Sequence, residues 1–365
     1  MTSLKKKKEK IDVMDFFNFT KRVTISDLAV FSQQFSVMIN AGVSLVESLE
    51  IMSKQLDHPR LKEVIIQIQE DVETGSSLAE AMGEHPDVFP RLYRQLIKAG
   101  ETGGVLDKVL NKLAAHYERQ DELTNKIKSS LYYPAAIMLV AIAVVIFLVI
   151  QVVPTFVSMF ADFGAELPLP TRLLLGFSSI MQNFWWLLLL LIIAGIYSLY
   201  RYYKTTSGKN LIDSLFIRLP AIGKMMKKIY ISRFSSTLAI LMDSGVDLLS
   251  SLAIVEDVVN NKVYANALVE ARARVREGEN LSKILDDKDK LFPDMIIQMI
   301  RVGEESGSIG EMLYKISDFY DREVETSIDG TVSLIEPALI VMMAVVIGFV
   351  AISIVLPMFD MFSYI

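Results

Sequence analysis

The sequence predicts an all-α integral membrane protein built from two homologous helical bundles of about six helices each and three transmembrane helices. Three observations carry this reading: a block of text that recurs at a fixed spacing, three long uncharged apolar runs, and apolar positions elsewhere that recur every three or four residues. No segment reads as a strand.

The recurrence comes first because it organises the rest. FPDMIIQMIRVGEESG at 292–307 repeats FPRLYRQLIKAGETGG at 89–104, an offset of 203 residues. The same shift superposes Gly42 on Gly245, Val43 on Val246, Gly75 on Gly278, Leu78 on Leu281, Tyr117 on Tyr320, Arg119 on Arg322, Pro134 on Pro337 and Pro154 on Pro357, with no gap between residues 31 and 156. About a quarter of the paired positions are identical, and they are rich in glycine and proline, the residues that hold backbone geometry. The chain is therefore read as a tandem duplication.

The apolar residues, 52% of the chain, pile up at 135–153, 184–200 and 338–356. Nineteen residues at 1.5 Å each cross roughly 30 Å of hydrocarbon, and the middle run reaches that length with its flanks. Residues 154–183 hold one basic side chain, Arg172, against Asp162 and Glu166, whereas Arg201, Lys204, Lys209, Arg218, Lys224, Lys227, Lys228 and Arg233 follow the second run. The positive-inside bias puts that basic side in the cytoplasm.

The expected organisation is a basic amino-terminal tail over 1–22, a cytoplasmic bundle over 23–133, a span over 134–153 and an external loop over 154–183. A returning span over 184–203, a second cytoplasmic bundle over 204–336, a third span over 337–357 and an external tail over 358–365 complete it. Both bundles share one orientation only because the middle span brings the chain back inside, which makes these parallel repeats with a connector. Lys5 to Lys8 lead into EKIDVMD rather than an apolar core, so no secretory signal is expected.

Within the first bundle, Ser26 or Asp27 is placed as the cap of a helix with Leu28, Phe31, Phe35, Met38 and Ile39 on one face. Ala41, Gly42 and Val43 end it. Ser44 caps a second helix through Leu45, Leu49 and Met52, and Pro59 opens a third through Leu61, Val64, Ile65, Ile68 and Val72 that Gly75 stops. A short helix near 78–82 and one after Phe89 and Pro90, halted at Gly100, precede a long amphipathic helix from Gly104. That helix is expected to bend at Pro134 as it enters the membrane. The second bundle repeats the plan and enters its span at Pro337. Structural turn or kink roles fall to Gly42, Gly75, Pro90, Gly100, Gly104 and Pro134 and to their partners Gly245, Gly278, Pro293, Gly303, Gly307 and Pro337.

Catalytic chemistry finds no support. His58, His85 and His116 have no partner at helical spacing, the chain has no cysteine, and the glycine-rich turns at 100–104 and 303–307 lack the lysine and strand of a phosphate loop. No catalytic, cofactor-binding or metal-binding residue is assigned, no cofactor is expected, and the chain is read as a non-enzyme. Glu101 and Glu304 occupy one position in both copies, either as acids at a helix start or as docking contacts for a basic partner. Arg119, Arg322 and Glu305 are read in the same two ways.

The paired FP…GE…G blocks, the ELPLPT stretch at 166–171, and SLIEP at 333–337 followed by a span closing on LPMF at 356–359 resemble the type II secretion system F protein family. The resemblance covers residues 23–365, and Ser306 stands where the first copy has Gly103. It implies an inner-membrane platform of a type IV pilus machine, coupling a cytoplasmic hexameric ATPase to the insertion or removal of pilin subunits. The expected partners are that assembly or retraction ATPase, pilin or pseudopilin subunits, other inner-membrane assembly proteins, membrane lipid and further copies of the chain, with no nucleic acid. The plasma membrane is the expected location, with the amino terminus cytoplasmic and the carboxyl terminus external. The equivalent platform of a type II secretion or competence machine is the alternative. A small-solute transporter is disfavoured by the small number of spans and the lack of intramembrane charge.

Overall fold

The computed structural model describes residues 22–155, 168–219, 222–288 and 290–362. The basic tail before Arg22, the first part of the 154–183 connection and the last three residues lie outside them. Among the described residues there are helices and no strand. In chain order these are α1 Ile25–Asn40, α2 Leu45–Gln55, α3 Pro59–Glu73, α4 Leu78–Gly83, α5 Arg91–Gly103, α6 Leu106–Phe147, α7 Leu169–Asn183, α8 Trp185–Tyr203, α9 Thr206–Arg218, α10 Ile222–Asp243, α11 Leu248–Val258, α12 Lys262–Arg276, α13 Leu281–Asp286, α14 Asp294–Ser306 and α15 Ile309–Phe362. The described residues divide into two compact units, the first within 22–124, 231–260 and 264–318, the second within 125–155, 168–230, 261–263 and 319–362.

The first unit holds most of both bundles, and the duplication is visible in the turns. Gly42 and Gly245 have φ of 83° and 81°, Gly75 and Gly278 105° and 94°, and Gly104 and Gly307 64° and 69°. Each ends a helix in the left-handed region, where a Cβ would clash with its own backbone. Caps recur in the same register: Ser44 and Asp247 each accept from the backbone three residues on. His58 accepts from Leu61 N–H where its counterpart Asn261 accepts from Val263 N–H. The first helix departs from expectation, since its cap is Thr24, with Asp27 completing a reciprocal pair of bonds.

The cores repeat as well. Phe31 and Phe89 are buried with ring centroids 5.7 Å apart, and their counterparts Phe234 and Phe292 lie 5.3 Å apart. The first copy extends this stack through Phe35, Tyr93 and Tyr117, while the second sets Tyr264 on Phe292. Each fully buried ring contributes on the order of 2–3 kcal/mol relative to exposure.

Helix α5 does not halt at Gly100. It runs to Gly103 because a glycine inside the helix lets the next helix cross closely: a Cβ at Gly100 would sit 3.0 Å from Val109 Cβ, and one at Gly303 would sit 2.9 Å from Ile309 Cα. Helices α6 and α15 run on past Pro134 and Pro337.

The second unit holds the apolar helices. Segments Leu106–Thr155, Trp185–Tyr203 and Ile309–Leu356 are long and apolar enough to cross a membrane. Trp185 and Trp186 open α8, and Tyr197, Tyr200, Tyr202 and Tyr203 gather near its end, as aromatic residues do at the two bilayer interfaces. A single π-helical turn, Leu148–Val152, follows α6. Helix α7, inside the segment read as an external loop, packs on that turn: Val149, Val153, Leu174 and Val350 form one buried cluster. Ser178 Oγ donates to Val149 O at 2.8 Å, Gln182 Nε2 to Ile150 O at 3.5 Å, and Thr171 Oγ to Ser353 O at 2.6 Å. Ser178 and Gln182 meet carbonyls where the wide turn disturbs the ordinary i→i−4 ladder, and Thr171 meets one on α15. The opposite face of α7 exposes Leu169, Leu173, Phe177 and Ile180.

Candidate functional site

The candidate docking residues occupy unlike environments. Glu101, near the end of α5, turns inward: its two oxygens accept the backbone N–H groups of Leu78 at 2.6 Å and Ala79 at 2.8 Å, the first two of α4. Glu304 does the same from α14, accepting from Leu281 at 2.5 Å and Ser282 at 3.2 Å, and additionally from the Ser282 hydroxyl. The carboxylate thus caps a helix 22–23 residues upstream, not the long helix that follows it. It satisfies two of the orphan donors of a six-residue helix that has few bonds of its own.

Glu305 beside it is exposed. Arg119 is half-buried on α6 with Nη1 3.2 Å from Glu122, and Arg322 is exposed on α15. The duplication therefore places four of these side chains in matched pairs, of which the glutamates are tied to the backbone of their own bundle.

Sequence reasoning missed a polar seam between the repeats. Arg91, at the start of α5, holds Asp257 of α11 with Nη1 to Oδ2 at 3.1 Å and donates to Ala253 O at 3.2 Å. Lys112 of α6 reaches the end of α10, with Nζ 2.6 Å from Asp243 Oδ2 and 3.0 Å from Asp243 O. Helix-terminal carbonyls lack intrahelical donors, so the ammonium meets both a charge and an orphan acceptor. In the second unit, Lys126 pairs across the repeats with Asp329 at 3.0 Å, while Lys228 and Glu323, both of the second repeat, lie 2.6 Å apart. Lys126 and Asp329 are counterparts, separated by the repeat offset itself. Residues so far apart carry no local sequence signal, although their charge opposition was available for inspection.

Among the described residues, Asp213, Asp321 and His116 are the buried acids and histidine. His116 lies in the first bundle, its Nε2 2.8 Å from Gln120 Nε2 and its ring edge-on to Tyr117, and burial pushes its pKa down to about 4. Burial raises the hydroxyl pKa of Tyr93 and Tyr117. Among the described residues no group of three or more His, Asp or Glu side chains stands in metal-binding geometry. What the arrangement offers is capped, aromatic-cored bundles on long helices that run into apolar spans.

Comparison with known proteins places this architecture. The model of the type II secretion system protein F family matches residues 31–154 and 234–357, two segments with the same 203-residue offset. The chain is 40% identical over 335 residues to a type IV pilus assembly protein PilC of Myxococcus xanthus, covering 92% of this chain and 80% of that one. It is 33% identical over 343 residues to the type IV pilus assembly protein PilC of Pseudomonas aeruginosa, covering 93% and 91%. Identity to a type II secretion system protein F of Aeromonas hydrophila is 36% over 356 residues, covering 97% and 91%. With two tandem family segments, three apolar helices and relatives matched over most of their length, the chain is a multi-pass membrane protein belonging to the type II secretion system protein F family.

Proposed function

We propose that this chain is the inner-membrane platform of a type IV pilus assembly machine, coupling a cytoplasmic hexameric ATPase to the movement of pilin subunits between bilayer and fibre. The observation that carries this reading is the match, over nearly the whole chain, to proteins named for type IV pilus assembly. The architecture supports it: bundles whose last helix is also a span are suited to passing a push from a soluble motor to subunits in the membrane. On this reading the chain has no nucleotide turnover of its own. The bundles face the cytoplasm, and the carboxyl terminus lies outside.

Deletion of the gene should abolish fibres, and re-expression should restore them. Purified chain should hydrolyse no ATP above background while co-purifying with a separate ATPase; robust hydrolysis by the chain alone overturns the proposal. Because the chain has no cysteine, single cysteines at Ser158 and Ser363 should react with an impermeant thiol reagent from outside and one at Ser207 should not. The opposite labelling pattern reverses the topology.

The platform of a type II secretion machine is the second reading, favoured by the 36% identity to a secretion protein over 97% of the chain. Neighbouring genes separate the two: a major pilin and a retraction ATPase belong with pili, a secretin with pseudopilins only with secretion.

A further inference from the structure

The seam between the repeats joins unlike surfaces. The first repeat contributes the start of α5 and a turn of α6, through Arg91 and Lys112, and the second contributes the end of α10 and α11, through Asp243 and Asp257. Each repeat, being a copy of the other, also carries the complementary surface. Moving the four charged seam residues by the repeat offset replaces Arg91 by Asp294, Asp257 by Lys54, Lys112 by Lys315 and Asp243 by Asn40, while the Ala253 carbonyl that Arg91 also meets becomes that of Glu50. The main ion pair is thereby reversed in sign but remains a pair, and the second lysine again faces the carbonyl end of a helix.

Within one chain these counterparts do not meet their matches. Lys54 bonds Glu50 on its own helix at 2.6 Å with its side chain 70% exposed, and Lys315 bonds Glu311 at 2.8 Å with 57% exposed. Asp294 is exposed, and among the described residues no ion pair holds it. The turn after α1 directs its N–H groups to Val37, Met38 and Ile39, leaving the Asn40 carbonyl out of the backbone pattern, as the Asp243 carbonyl is before Lys112 meets it. Exposed i,i+4 pairs such as those of Lys54 and Lys315 are weakly held and are released readily to a better partner.

We infer that copies of this chain associate head to tail, the α14–α15 surface of one copy seating on the α1–α2 surface of the next. The contact keeps two elements of the intrachain seam, with Asp294 on Lys54 and Lys315 on the Asn40 carbonyl. The occupant is a second copy because only a homologous repeat carries both the backbone shape and the matching charges. Such a contact is heterologous, so the rotation between copies decides whether it closes into a ring. The inference rests on the duplication and the seam, independent of which machine the chain serves.

The test uses full chain in membranes. One copy carries Lys54→Cys and one tag; a co-expressed copy carries Asp294→Cys and another tag. A short bis-maleimide is added, because a Lys–Asp pair holds its Cα atoms beyond disulfide reach. A product bearing both tags, stronger than that from Lys54→Cys with Glu305→Cys, is expected. Yield no greater than that control overturns the inference. So does a chain bearing both Lys54→Cys and Asp294→Cys that gives only an internally linked monomer. Charge exchange supplies a second measurement. Asp294→Lys alone should lower the self-associated fraction roughly fivefold, and adding Lys54→Asp should restore it. Equal association in all three chains sinks the idea.

Discussion

Replacing Glu304 by Gln tests whether the duplicated glutamates hold the bundle together or reach a partner. Glu304 offers two oxygens to three donors, the N–H groups of Leu281 and Ser282 and the Ser282 hydroxyl. Gln keeps one acceptor and turns the other into an NH2 donor that points at donors. A hydrogen bond to a charged group contributes about 1.5–3 kcal/mol, and the negative charge at a helix start adds about 0.3–1 kcal/mol. These terms overlap, so the expected loss is about 2–3 kcal/mol, or roughly 30- to 150-fold in the local opening equilibrium. Glu101 serves only two N–H groups, so Glu101→Gln should lose less, about 1.5–2 kcal/mol. Hydrogen exchange by mass spectrometry on the full chain in detergent, read on peptides over α13 and α4, measures both. Exchange within threefold of wild type in both variants, with fibres lost and membrane level normal, would refute the clamp and leave docking as the role.

The other expectations concern separate parts of the molecule. Gly303→Ala should destabilise the second bundle by about 1–3 kcal/mol, because its Cβ meets backbone at 2.9 Å, and more than Gly100→Ala, whose closest contact is a side chain at 3.0 Å; thermal unfolding in detergent ranks them. His116 has a folded pKa of about 4 against an ordinary 6.5, so the folded state binds fewer protons between those values. Stability present above pH 6.5 should therefore fall by up to about 3 kcal/mol as pH drops toward 4. His116→Phe, the residue at the equivalent position 319, should remove that slope in denaturation curves. Ser178→Ala should cost about 0.6–1.7 kcal/mol by unmaking the bond to Val149 O, read as lower resistance to unfolding in mixed micelles.

Much of the fold was legible because it is written twice. Gly42 with Gly245, or Phe31 with Phe234, are informative as pairs at one offset where either alone would be a weak signal. The three apolar runs were legible because bilayer thickness sets their length. What escaped was whatever depends on residues meeting at a distance. Glu101 reads locally as an acid ahead of a long helix, yet its partners are the amides of Leu78 and Ala79, and no periodicity announces a cap supplied by another helix. The cap falls on Thr24 rather than on Ser26 or Asp27, because Asp27 serves instead as the N3 acid of the reciprocal pair. Helix α7 lies in the segment read as an external loop from its charge and its place between two spans, and Pro168 and Pro170 at its start are compatible with a helix because a proline in the first turn removes no helical bond.

The π-turn at Leu148–Val152 has no counterpart in α15, although the repeats align there without a gap. A wide turn takes up about one residue without the usual advance, so everything beyond it is turned by roughly 100° relative to a regular helix. Just past the turn, Val153 is buried, whereas its counterpart Leu356 in α15 is 39% exposed. Two copies of one text become two different surfaces, freed by a single turn to pack against different neighbours.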